Sequence, residues 1–194
     1  MVGPMTNTFG FTPGQPPEWD IERFMRGDEV DTAVITLERN RRTFAWKCAD
    51  VGAEGLGLRL GASSVTLRNL LKHLAWVERA YFLWRLHGRD PGEPWNTIDW
   101  EADPDWDWRT AAHDSPEELY AMWRDAVEQS RASVAEALAD GGLDQLIKDT
   151  SPEGRTPSLR RILIDLIEEY ARHAGHADLI RESIDGLVGE DPPG

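Results

Sequence analysis

Three histidines and one glutamate have the types and spacing from which a reactive centre can be built: His73 in LLKHLAW, and Glu169, His173 and His176 in LIEEYARHAGHADLIRE. An α-helix turns by about 100° per residue, so with Glu169 at zero, His173 falls near +40° and His176 near −20°, an arc roughly 60° wide. Asp165 lies on the same flank. Residues one helical turn apart can converge on a single ion, and two pairings are open: Glu169 with His173, or His173 with His176. Glu169 and His176 are separated by a rise of about 10.5 Å, so they compete for one position rather than share it. If Glu169 and His173 are the ligands, His176 lines the pocket. His73 supplies a ligand from another helix. Two imidazoles and a carboxylate suit a borderline divalent cation, and three protein ligands leave a position for water or substrate.

Other chemistry is poorly supported. His87 and His113 read as ordinary surface residues, and the single cysteine, Cys48, lies on an apolar stripe with no histidine beside it, which reads as core packing. One cysteine permits neither an internal disulfide nor a thiolate cluster, and fits a reducing cytoplasm. Ser63, Ser64, Ser130 and Ser133 have no nucleophile-elbow context, and the glycines between 52 and 61 form neither a dinucleotide fingerprint nor a phosphate loop.

Four amphipathic segments must position these residues. Val30, Val34, Leu37, Phe44, Cys48 and Val51 form a helical stripe interrupted by Arg41; Gly52, Gly55, Gly57 and Gly61 then mark a connector with at most a short turn. A second helix is expected from a Thr66 cap to Gly88, with the stripe Leu67, Leu70, Leu74, Val77, Tyr81 and Trp84. Ser115, Pro116 and Glu118 write a capping box for a third helix ending at Gly141 and Gly142. Thr156 as cap and Pro157 in the first turn open a fourth, with the stripe Leu159, Ile162, Leu166, Tyr170, Ala177 and Ile184, ending near Gly186. The fold expected is all-α: an antiparallel four-helix bundle with a long connection between its second and third helices. That connection, residues 89–114, reads as structureless. It holds Asp90, Glu93, Asp99, Glu101, Asp103, Asp105 and Asp107 among Trp95, Trp100, Trp106 and Trp108, and is expected either to strap over the bundle or to wall a pocket or partner surface. Residues 1–28 read as a flexible Pro-rich arm and 29–190 as the domain.

Composition narrows the partners. The 194 residues carry 21 Lys+Arg against 35 Asp+Glu, and 21 − 35 = −14 disfavours both phosphate backbones and anionic membrane surfaces. No stretch approaches the ~20 apolar residues of a membrane span. A small molecule is the partner expected.

The strings LLKHLAWVERAYF and LIEEYARHAGHADLIRE, set on either side of a third helix, resemble the DinB/YfiT-like superfamily of metalloenzymes, and within it the branch related to mycothiol-dependent maleylpyruvate isomerase. The resemblance spans about residues 31–187. It implies a four-helix bundle holding zinc or nickel, with His73 as the ligand on the second helix and His173 as the last ligand. The ligand one turn before His173 is usually histidine in this superfamily; here Glu169 stands there, as a glutamate does in the isomerase. His176 occupies a place often taken by glutamine, and is kept as a weaker candidate ligand. The resemblance further implies a homodimer, and a thiol such as mycothiol as co-substrate for an S-transferase or isomerase acting on a small electrophile. Acidic groups on such a thiol require cations, for which Arg79, Arg85, Arg172 and Arg181 are candidates; Tyr170 and Arg172 are taken as the substrate contacts. The alternative is a non-catalytic, metal-binding dimeric module of stress or detoxification.

Overall fold

Helix ends in this chain follow capping chemistry, and the computed structural model, which describes residues 21–150 and 153–191, shows how far that chemistry reaches. The described residues are all-helical apart from turns, loops and one isolated antiparallel bridge between Leu146 and Ser158. In chain order the α-helices are α1 (Ile21–Arg26), α2 (Glu29–Cys48), α3 (Ala53–Leu56), α4 (Leu67–Arg79), α5 (Trp106–Thr110), α6 (Pro116–Asp140) and α7 (Leu159–Asp185). Residues 1–20 of the expected arm, and Pro152 of the loop before α7, lie outside the described residues.

The Asp28 carboxylate accepts from the Asp31 N–H at 2.9 Å and caps α2. Ser115 and Glu118 exchange bonds at the start of α6, the Ser115 hydroxyl accepting from the Glu118 N–H and the Glu118 carboxylate from the Ser115 N–H, with Pro116 in the first turn. This reciprocal box holds the Glu118 carboxyl below its ordinary range, chiefly through the Ser115 N–H. The expected cap of α7 moves: Ser158, not Thr156, accepts from the Arg161 N–H, at 3.4 Å, while Thr156 pairs with the Thr150 hydroxyl. Gly186, at φ +77°, closes α7 in a left-handed conformation that a side chain would strain.

The periodic reading of the second helix holds only as far as Arg79. Ala80–Arg85 continues α4 as a π-helix, whose wider turn shifts the register by one residue. Phe82, Leu83 and Leu86 are therefore buried where a 3.6-residue period calls for Tyr81 and Trp84, and Trp84 is half exposed. Nor is the 89–114 connection structureless: it contains short 3₁₀ turns at Trp95–Thr97 and Ala111–His113 as well as α5.

The chain forms two compact units, residues 21–70 with 167–191, and residues 71–166. In the first, Leu37, Phe44, Cys48, Leu56, Leu67, Leu70, Tyr170, Ala177 and Ile180 are buried. Arg41 does not interrupt the α2 stripe but lies buried in it, bonded to Glu38 at 2.6 Å. Arg181 satisfies the open end of α2, donating to the carbonyls of Lys47 and Ala49 at 3.1 and 2.5 Å and gripping Asp185 on its own helix. Burial pushes the Cys48 thiol up, with the Arg181 charge opposing, so this cysteine is an inert core residue. In the second unit the core is Leu71, Leu74, Phe82, Leu86, Trp95, Leu119, Trp123, Val127, Leu159 and Leu163, with the π-helical segment packed on α6. No helix among the described residues is long and apolar enough to cross a membrane.

Candidate functional site

The α7 residues come from a helix whose own geometry makes them neighbours. Glu169 and His173 face each other one turn apart, the His173 Nε2 lying 3.0 Å from the Glu169 Oε1. The other ring nitrogen, Nδ1, lies 3.2 Å from His176 Nδ1. His173 therefore stands between Glu169 and His176, and each uses a different nitrogen. One of the two facing Nδ1 atoms must carry a proton for that contact to be a hydrogen bond. The His173 side chain is 8% exposed and Glu169 27%, so both are largely withdrawn from water while still open to a ligand. Burial, then the charge of His173, lowers the pKa of half-buried His176, against a small opposing pull from Glu169. Its neutral form is thus favoured, as an accepting ring requires.

The neighbouring residues of α7 divide. Tyr170 is fully buried, its ring edge-on to Phe44 with 6.1 Å between centroids, in the core of the first unit. Arg172 is exposed to solvent and contributes to the field at His176.

His73 lies in the second unit, on α4, and is held from the connection that follows it. Its Nδ1 is 2.7 Å from the Asp107 Oδ2, and its ring lies against Trp108 with 4.8 Å between centroids. Asp107 is only 1% exposed. A buried carboxylate needs a donor, and a protonated Nδ1 supplies one; the lone pair of the neutral ring then rests on Nε2. The same stretch is tied to α4 at several further points. Lys72 donates to Asp114 at 2.6 Å and sits 4.3 Å over the Trp106 ring, while Trp100 stacks on Trp76 at 4.2 Å and 6°. Trp95 is fully buried and packs against both Trp76 and Trp106.

Asp107 is the participant that sequence reasoning missed. It is one of seven acidic residues between 90 and 107, and nothing in its local spacing separates it from the others. The signal lies in its burial: Asp90, Glu93, Asp99, Glu101 and Asp105 are exposed and Asp103 is half-buried. His113 is exposed as expected, but His87 is half-buried, with Nε2 3.1 Å from the Ser133 carbonyl, a structural contact rather than a reactive one.

A profile of the mycothiol-S-transferase (MST) family matches residues 33–186, most of the chain. The chain belongs to that family, in agreement with the DinB/YfiT-like resemblance of its helices. No curated protein matches it in sequence.

Proposed function

Taking membership of the mycothiol-S-transferase family as the premise, we propose that this protein is a divalent-metal-dependent transferase or isomerase that joins a low-molecular-weight thiol, mycothiol or a close relative, to a small electrophile. The ligands in this reading are His73, Glu169 and His173, two imidazoles and a carboxylate. The observation that carries the reading is the 3.0 Å approach of Glu169 Oε1 to His173 Nε2. Two donors on one tetrahedral zinc at bond lengths of about 2.05 Å stand about 3.3 Å apart, so the pair needs almost no rearrangement to share an ion. Zinc and nickel both suit two imidazoles and a carboxylate.

Each residue has a distinct task. Glu169 brings negative charge that offsets the cation, and His173 presents Nε2 while its Nδ1–H donates to His176. That bond fixes the ring and its tautomer. His176 is thus a support for a ligand rather than a competing one, because it engages the nitrogen that Glu169 does not. A fourth protein ligand from His176 would close the site and favour the non-catalytic alternative; its contact with Nδ1 argues for an open one. A bound divalent ion supplies Lewis acidity, which favours the ionised form of a thiol and so a stronger nucleophile at neutral pH. Exposed Arg172 offers a cation to an acidic group of the co-substrate.

In the same reading the domain spans 29–190 behind an arm of 1–28, and α2, α4 with its π-helical continuation, α6 and α7 form the antiparallel four-helix bundle of the superfamily. The protein works as a homodimer in the cytoplasm, on a small molecule rather than on nucleic acid or membrane. The match over 33–186 and the net charge of −14 support this.

The test is metal analysis of protein purified without a histidine tag, followed by thiol consumption with a panel of electrophiles. Near-stoichiometric zinc or nickel, and turnover that disappears with His73→Ala or Glu169→Gln, are expected. Protein that takes up no such metal on reconstitution, or turnover indifferent to it, overturns the reading.

A further inference from the structure

We propose that Asp107 is a positioning residue for His73, holding it as the Nδ1–H tautomer so that Nε2 is the donor nitrogen, and that the acidic, Trp-rich connection exists in part to carry this carboxylate. The inference rests on the reading of His73 as a metal ligand, and extends it to a residue that touches neither metal nor substrate.

Three observations carry it, all within residues 71–166. The first is the contact itself: 2.7 Å between His73 Nδ1 and Asp107 Oδ2, with the Asp107 side chain 2% and that of His73 17% exposed. A carboxylate so deeply buried is costly unless paired, which makes it an uncommon residue to place by accident. The second is orientation. Trp108, next in sequence, lies against the His73 ring, so consecutive residues of α5 restrain both its hydrogen bonding and its plane. The third is anchorage. Trp106 under Lys72, Asp114 at the Lys72 ammonium, and Trp100 on Trp76 fasten the connection to α4 immediately beside position 73. The neighbouring carboxylates have other work: Asp90 accepts from the Gly92 N–H and from Asn96, and Asp103 pairs with Arg109. Partners that orient a ligating imidazole through its second nitrogen typically contribute about 10- to 100-fold to metal affinity.

The test uses the full chain without a tag, in two measurements. Long-range ¹H–¹⁵N correlation of the imidazole rings of the metal-free protein, at a pH where they are neutral, is expected to show His73 protonated on Nδ1. Competition with a chelating dye is expected to show zinc held about 10- to 100-fold more weakly by Asp107→Asn than by the wild type. Asp114→Asn breaks the Lys72 pair in the same connection; it should lower thermal stability and weaken zinc far less than Asp107→Asn does. Protonation of His73 on Nε2, wild-type zinc affinity in Asp107→Asn, or an equal loss in Asp114→Asn would each overturn the proposal, the last by showing that only the integrity of the connection matters. If Asp107→Asn does not fold, the tautomer of the wild type decides. A wild type that binds no zinc defeats the metal reading instead, and the tautomer then still reports on the pairing of Asp107 with His73.

Discussion

The α7 turn from Glu169 to His176 and the His73 contact with residues 106–108 perform related tasks by opposite means. On α7 the partners of His173 are four residues before it and three after it, and the helix supplies their geometry at no further cost. His73 takes its partner from 34 residues further along the chain, through a connection fastened by stacked indoles and a buried lysine. One arrangement is as stable as its helix. The other is as stable as the packing of a long connection, and its imidazole can be disturbed by substitutions that never touch it.

His173→Ala should break the first arrangement with the largest effect. It removes a donor and the shared partner of Glu169 and His176, and the expectation is protein that holds no stoichiometric zinc by elemental analysis, with a circular dichroism spectrum unchanged because alanine favours the helix. Trp108→Ala should probe the second arrangement. Removing this indole is expected to cost about 2 kcal/mol of stability by chemical denaturation, together with a drop in zinc affinity; a zinc affinity equal to that of the wild type would mean that Asp107 alone orients His73. His176→Ala is expected to weaken zinc about tenfold without abolishing it. Complete loss would instead make His176 a ligand and erase the distinction between donor and support on α7.

The smallest effect expected is a pH dependence on α7. The Arg181 guanidinium holds the Asp185 carboxyl below its ordinary value, with the Leu187 N–H assisting. Because the folded-state value is the lower one, the stabilisation is complete above the ordinary carboxylate range and is lost as pH falls through the depressed value. Asp185→Asn should therefore lower stability at neutral pH and flatten the acid limb of the stability profile, with the two proteins converging at the lowest pH. Parallel profiles would show that Arg181 owes its place to the Lys47 and Ala49 carbonyls alone.

Much of this was legible in the residues themselves. Ser115, Pro116 and Glu118 announce the start of α6, and Gly186 the end of α7, because a cap depends on chain neighbours within one turn. The convergence of Glu169 with His173 follows in the same way from helical spacing. Where the expectation failed, the deciding contacts were distant. Thr156 and Ser158 are both competent caps, and the choice fell to Ser158 where Leu159 N donates to the Gln145 carbonyl at 2.8 Å. The π-helical turn after Arg79 changes which residues are buried against α6, and a fixed 3.6-residue period has no means of anticipating it.

By itself, then, the sequence determined the helical class, the ends of α6, the close of α7, and the nearness of Glu169, His173 and His176 on α7, since each rests on interactions spanning four residues or fewer. The tertiary structure alone selected Asp107 from seven similar carboxylates and set it against His73. That selection depends on which side chain is buried when residues 95–108 pack on α4, and burial is a property of the assembled chain rather than of any segment of it.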